Sequence, residues 1–124
     1  NPPFFINSTK NPAHNRTLAR HCETLSHEDI LQVSDHILLP EGKLCVILPV
    51  NEAKQFLELA QNKKWFLNKL TTVYPTPDKA PKRQLIELSK IKKHLVENSI
   101  TLEIERHVLH ESYANLTKDF YLKL

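Results

Sequence analysis

Gly42-Lys43-Leu44-Cys45-Val46-Ile47-Leu48-Pro49 sets five consecutive apolar residues between the only glycine of the chain and a proline, with a single lysine in between. A short apolar run between turn signals reads as a strand buried on both faces, as in a parallel sheet covered by helices. Helical patterns flank it. On the amino side Ser26 precedes His27-Glu28-Asp29, and Ile30, Val33 and Ile37 follow at helical spacing. This predicts a capped amphipathic helix over residues 27–38, ended by Pro40-Glu41-Gly42. On the carboxyl side Asn51 is the predicted cap of a second helix reaching about residue 63, with Phe56, Leu57 and Ala60 on one face.

Further out, residues 67–74 read as a strand stopped by Pro75-Thr76-Pro77, and residues 84–89 as another. Ile100, Leu102 and Ile104 alternate with Thr101, Glu103 and Glu105, which predicts a peripheral strand with one wet face. Tyr113, Leu116 and Phe120 predict a final helix over 112–121. Residues 1–25 read as a loop with a helical turn near 17–21, and there are no internal repeats. The order helix, strand, helix, strand, strand is half of an α/β sandwich. Its first buried strand needs neighbours on both edges and one following strand supplies only one. The chain therefore reads as the carboxyl-terminal part of a larger domain, with the natural start upstream of Asn1.

At 124 residues the chain is at most one ordinary domain. With 40% apolar and 25% charged residues it reads as soluble and globular, and no apolar run approaches the roughly 20 residues that span a bilayer, so no membrane partner is expected. Cys22 and Cys45 form no CxxC pair, which predicts free thiols in a reducing, cytoplasmic compartment. A net charge of +3 decides little, but its distribution is uneven. No acid precedes Glu23, whereas Lys10, His14, Arg16, Arg20 and His21 all do. That segment, and the proline-rich loop carrying Lys79, Lys82 and Arg83, are candidates for polyanion contact. Lys90, Lys92 and Lys93 read equally well as a solvated face.

The chain begins Asn1-Pro2-Pro3-Phe4-Phe5. Two prolines make a stiff, non-helical segment with free carbonyls. An amide side chain, a rigidly held proline carbonyl and an aromatic face form a compact receptor for a planar amine. Asn1 Oδ1 and the Pro2 carbonyl each accept a hydrogen bond from an –NH2 group, and Phe4 stacks on the ring that carries it. The nitrogen lone pair is thereby turned toward an electrophile, with no general base of unusual pKa required.

This start resembles motif IV, (Asn/Asp/Ser)-Pro-Pro-(Tyr/Phe/Trp), of the amino-methylating class I S-adenosylmethionine-dependent methyltransferases. Four further stretches extend the likeness over the whole chain: Arg16-x-x-Ala19-Arg20-His21 with Leu25, the strand 42–49, Pro81-Lys82-Arg83 entering a strand, and Tyr113-x-x-Leu116-x-x-Asp119-Phe120-Tyr121-Leu122. Together they resemble the bacterial tRNA adenine-37 amino methyltransferases. The resemblance implies the carboxyl-terminal half of a Rossmann-like doubly wound methyltransferase sheet, residues 1–124 being its substrate-binding part. It implies methylation of the 6-amino group of an adenine in a tRNA anticodon loop, with Asn1, Pro2, Pro3 and Phe4 as the catalytic motif. Lys10, Arg16, Arg20, His21, Lys82 and Arg83 are the expected RNA contacts. S-adenosyl-L-methionine is the implied cofactor, with most of its site outside this chain, since no glycine-rich cradle is present. The chain by itself is then expected to be inactive, and its exposed strand edge makes self-association a further expectation.

Two alternatives remain open at this point: an rRNA guanine or protein glutamine methyltransferase, and a noncatalytic RNA-binding module. Seven histidines invite a metal reading, but His107-x-x-His110 lacks a cysteine or carboxylate at ligand spacing, so no metal site is expected.

Overall fold

The computed structural model of the protein describes residues 1–2 and 25–122, so the predicted helical turn at 17–21 lies outside the described residues. The helix predicted after Ser26 is α1 (His27–Ile37). Ser26 Oγ accepts from the Asp29 amide at 3.1 Å and the Asp29 carboxylate accepts from the Ser26 amide at 2.9 Å, a reciprocal cap. The buried face differs from the expected one. Leu31 is fully buried, with His27 and Ser34 beside it, while Val33 is 54% and Ile37 73% exposed. A stripe at i, i+4 and i+7 starting from His27 is as helical as one starting from Ile30, and the choice falls to what α1 packs against.

That partner is α2 (Val50–Asn62), which follows β1 (Lys43–Pro49) without a loop. Pro49 is itself the N-cap and no side chain caps the helix, so Asn51 stands inside the first turn instead of capping it. Proline ends the strand with φ already near −57°, and helix can begin at the next residue. Of the expected face, α2 buries Phe56 and Ala60 and leaves Leu57 half-buried, and Ala53, which was not anticipated, is buried with them. The His27 ring meets the Phe56 ring edge-on, with centroids 5.3 Å apart and planes perpendicular.

Three more strands complete the sheet: β2 (Phe66–Tyr74), β3 (Arg83–Ser89) and β4 (Val96–Thr101), in the order β1-β3-β2-β4. β3 is antiparallel to both neighbours, so β1 and β2 run parallel with α2 as their crossover, and β4 is parallel to β2. The expectation for β1 is corrected in two respects. Its hydrogen-bonded neighbour is antiparallel, and Val46 and Leu48 are buried while Cys45 is exposed. Helices α1 and α2 cover one face only: there Leu31, Ala53 and Phe56 meet Val46, Leu48, Ile86 and Leu88. Cys45 carries a free thiol, as expected, and Cys22 lies outside the described residues.

The register of β2 shifts between Leu67 and Lys69, leaving Asn68 as an unpaired bulge residue. Its buried amide ties three strand ends together. Nδ2 donates to Ser89 Oγ at 2.6 Å and to the Ile91 carbonyl at 3.1 Å, and Oδ1 accepts from the Lys93 amide at 3.1 Å. Asn68→Ala removes all three of these bonds from around a buried side chain, and a loss of about 2–3 kcal/mol is expected from urea unfolding. Asn98→Ala, on the edge strand β4, removes a single hydrogen bond, the one its Oδ1 accepts from Thr71 Oγ1, and should cost about half as much or less.

The alternating pattern at 100–105 is not one strand. β4 begins earlier than expected and ends at Thr101. The Leu102 and Glu103 amides donate to the carbonyls of Tyr74 (2.9 Å) and Pro75 (3.0 Å), so the chain leaves the sheet there. Glu103–Glu105 is β5, paired with β6 (Val108–Leu109) in a separate hairpin. The last helix, α3 (Glu111–Thr117), is shorter than expected, buries none of its residues, and leaves Phe120 beyond its end and 86% exposed.

His27 gives the core a titratable element. Burial holds its pKa below the usual 6.5 against the opposing pull of Glu52, and Nε2 has no hydrogen-bond partner. The folded imidazole stays neutral while the unfolded one takes up a proton near 6.5, so the unfolded state binds more protons below that pH. Stability is therefore complete above about pH 6.5 and is lost as pH falls through the window down to the depressed folded value. Unfolding free energies measured across pH 5–7 should decline on the acid side, and His27→Phe should flatten that decline.

Candidate functional site

Because β1, β2 and β4 run parallel, their carboxyl ends (Pro49, Tyr74 and Thr101) share one edge of the sheet. In open α/β sheets this is the edge where ligands bind. The amino end of α2, the loop 75–82 and the β5–β6 hairpin gather there. Lys82 is exposed and stitched in by its backbone: its amide donates to the Val73 carbonyl at 2.9 Å, and its carbonyl accepts from the Val50 amide at 3.3 Å. Arg83 follows, half-buried, opposite Pro49 on β1 and Val73 on β2. Lys79 shares a cavity of about 490 Å³ with Asp78, Glu103 and Arg106, so its surroundings are of mixed charge. Thr76 Oγ1 donates to Asp78 Oδ1 at 2.6 Å, and this bond holds the Asp78 carboxyl below the usual carboxylate range.

Asn1 is exposed and Pro2 half-buried. Asn1 lies over the sheet face opposite α1 and α2, lining a concavity of about 370 Å³ with Cys45, Ile47, Thr71, Leu85 and Glu87. A second concavity of about 700 Å³ shares Lys69, Thr71 and Leu85 with the first and runs on to Asn98 and to Ser112 of α3. The floor is polar at its centre: Thr71 Oγ1 donates to Asn98 Oδ1 at 2.5 Å, and Lys43 pairs with Glu87 at 3.3 Å. Lys82 and Arg83 do not line the Asn1 concavity. Arg83 stands four residues along β3 from Glu87, roughly 13 Å at the strand rise. Pro3, Phe4, Lys10, Arg16, Arg20 and His21 lie outside the described residues.

Sequence reasoning passed over Lys69, Thr71 and Asn98. Polar residues two apart in a strand were the available signal, but only the pairing of Thr71 with Asn98 brings them together. It also passed over the junction of α2 and β2, where Lys64 adopts φ 62°. His110 caps α3, Nδ1 accepting from the Ser112 amide at 3.2 Å, and His107 occupies the hairpin turn with φ 69°. Among the described residues no group of three His, Cys, Asp or Glu side chains could hold a metal ion, and no helix is long and apolar enough to cross a membrane. Gly42 sits at the amino end of β1, away from the carboxyl-end edge, where an added Cβ would stand 3.0 Å from both Leu38 Cδ2 and the Leu39 carbonyl oxygen.

Comparison with known proteins supplies the wider frame. No protein-family model matches the chain. It is 42% identical over 125 residues to a protein named tRNA1(Val) (adenine(37)-N6)-methyltransferase from Parabacteroides distasonis, covering 100% of this chain and 53% of that protein. Proteins of the same name from Trichodesmium erythraeum (42% identity, 99% and 52% covered) and Vibrio vulnificus (36% identity, 100% and 52% covered) are similar along the same extent. The chain thus spans about half the length of the curated relatives it matches. Among solved structures it is similar to a predicted O-methyltransferase from Agrobacterium tumefaciens, with TM-score 0.63 and 16% identity over 74% of this chain and 45% of that one. The mixed α/β sheet is therefore a methyltransferase-like, Rossmann-type fold.

Proposed function

We propose that this chain, homologous along its whole length to the tRNA adenine-N6 methyltransferases, is the carboxyl-terminal, substrate-binding part of such an enzyme. The observation that carries the reading is that full-length likeness together with Asn1-Pro2-Pro3-Phe4 at the start of the matched region. The substrate is an adenine in a tRNA anticodon loop, and S-adenosyl-L-methionine supplies the methyl group when bound, chiefly to residues outside this chain. Asn1 Oδ1 and the Pro2 carbonyl accept the two amine hydrogens and hold the nitrogen lone pair toward the methyl carbon. Transfer would form the new N–C bond as the sulfonium S–CH3 bond of the cofactor breaks, with S-adenosylhomocysteine as the leaving group and one amine proton lost to solvent. Phe4 stacks on the base, which costs little to extrude from a loop already partly unstacked. Lys10, Arg16, Arg20, His21, Lys82 and Arg83 contact tRNA phosphates, and the exposure of Lys82 at the carboxyl-end edge supports this.

The test is a methylation assay on the protein of the relatives' length that carries this sequence. It is supplied in parallel with unmodified tRNA, rRNA and release factor, and the products are digested and resolved. N6-methyladenosine from tRNA alone is the expected product. Methylguanosine or methylglutamine in its place would overturn the substrate, and failure to bind S-adenosylmethionine would make the chain a noncatalytic RNA-binding module.

A further inference from the structure

At the opposite edge of the sheet, where α2 ends and β2 begins, Leu57, Trp65, Phe66 and Leu88 wall a cavity of about 570 Å³. Lys64 and Lys92 stand at its mouth. Apolar walls, a volume of a few hundred cubic ångströms and two or three placed polar groups are the usual makings of a small-molecule site. The charges here are of one sign: no acidic residue lines the cavity. The neighbouring lysines are occupied, Lys63 with Glu28 at 3.0 Å and Lys90 with Asp35 at 2.8 Å while lying 4.2 Å over the Trp65 ring. Lys64 and Lys92 have no such ion pair or side-chain hydrogen bond among the described residues.

The backbone adds a second, independent observation. The Lys64 amide donates to the Gln61 carbonyl and the Trp65 amide to the Ala60 carbonyl, both at 3.0 Å, which closes α2 in a Schellman turn. The residue in its left-handed position is Lys64, with φ 62°, where glycine is the unstrained choice. A cation is thus held, against local preference, at the mouth of an apolar cavity. Backbone outliers of this kind gather at binding sites.

We propose that this cavity is a binding site for a small molecule that joins a flat apolar ring to an anionic group, the ring between Phe66 and Leu57 and the anion between the Lys64 and Lys92 ammonium groups. The site is separate from the carboxyl-end edge and does not depend on the methyltransferase reading. The probe is 8-anilinonaphthalene-1-sulfonate, with uncharged N-phenyl-1-naphthylamine as its neutral counterpart, titrated by fluorescence into the native full-length protein. The sulfonate should bind the more tightly, and its affinity should fall with added salt. Lys64→Gly and Lys92→Gln should each weaken it about two- to fivefold, the range for an exposed ion pair, and leave the neutral dye unaffected. Lys64→Gly should raise the melting temperature by a few degrees while it weakens binding, which separates loss of the cation from loss of the fold. Displacement of the sulfonate by indole-3-acetate or by adenosine monophosphate tells whether the ring carries its anion directly or through a sugar. Equal binding of the two dyes, sulfonate affinity unchanged in both variants, displacement by neither competitor, or preference for a single-stranded oligonucleotide over all of them would overturn the proposal.

Discussion

Asn1→Ala in the protein of the relatives' length should lower the rate of N6-methyladenosine formation by on the order of 10², the size of effect seen when one preorganised polar partner of a reacting group is removed. The reason lies in where charge develops. As the amine nitrogen forms its new bond it becomes positive, and its hydrogens become stronger donors. On the proposed function, a hydrogen bond from the amine to Asn1 Oδ1 would therefore tighten between ground state and transition state. An interaction of that kind appears in kcat more than in KM. Steady-state kinetics with tRNA check this directly. A rise in KM at unchanged kcat would mean that Asn1 only helps hold the base, and an unchanged kcat/KM would remove Asn1 from the reaction. Lys82→Ala offers a contrast, because a phosphate contact should weaken tRNA binding and lower its salt dependence while leaving kcat in place.

Phe56→Ala should destabilise the fold by about 3–5 kcal/mol, the cost of deleting a fully buried aromatic ring and leaving its cavity. Domains of this size have only about 5–15 kcal/mol to lose, so the melting temperature should drop by roughly 10–20 °C. Phe56 holds α2 against the sheet and also meets His27 of α1, and its loss loosens both packings at once. Urea unfolding gives the number. Phe120→Ala is the internal control: at 86% exposure it should move the midpoint by no more than a few tenths of a kcal/mol. If the two variants unfold alike, the assigned core is wrong.

Most of the secondary structure was legible before any contact was known. Ser26 with Asp29 marked the start of α1, and the apolar run at 44–48 marked β1. Ala60 and Phe56 picked out the buried side of α2, and Pro75 with Pro77 marked the end of β2. Such signals act over one to four residues, within reach of periodicity and capping. The misreadings share a cause. Ile30, Val33 and Ile37 make a sound apolar stripe, yet the stripe through Leu31 is the one that faces the sheet. Ile100 to Glu105 alternates like one strand but breaks where the carbonyls of Tyr74 and Pro75 capture the amides of Leu102 and Glu103. In each case a partner more than ten residues away chose between local patterns of similar merit.

The candidate site divides in the same way. The amine-accepting chemistry proposed for Asn1-Pro2-Pro3-Phe4 rests on adjacent residues alone, and Pro3 and Phe4 lie outside the described residues. The polar floor formed by Thr71 and Asn98, and the cations of Lys64 and Lys92 at one cavity mouth, join residues 27 and 28 positions apart. By itself the sequence determined the fold class and the order of most elements. Tertiary structure alone decided which face of α1 is buried, that β3 enters antiparallel between β1 and β2, and which distant polar groups share a surface. Local pattern limits which contacts are possible, whereas strand pairing and competition for burial select among them across the whole chain.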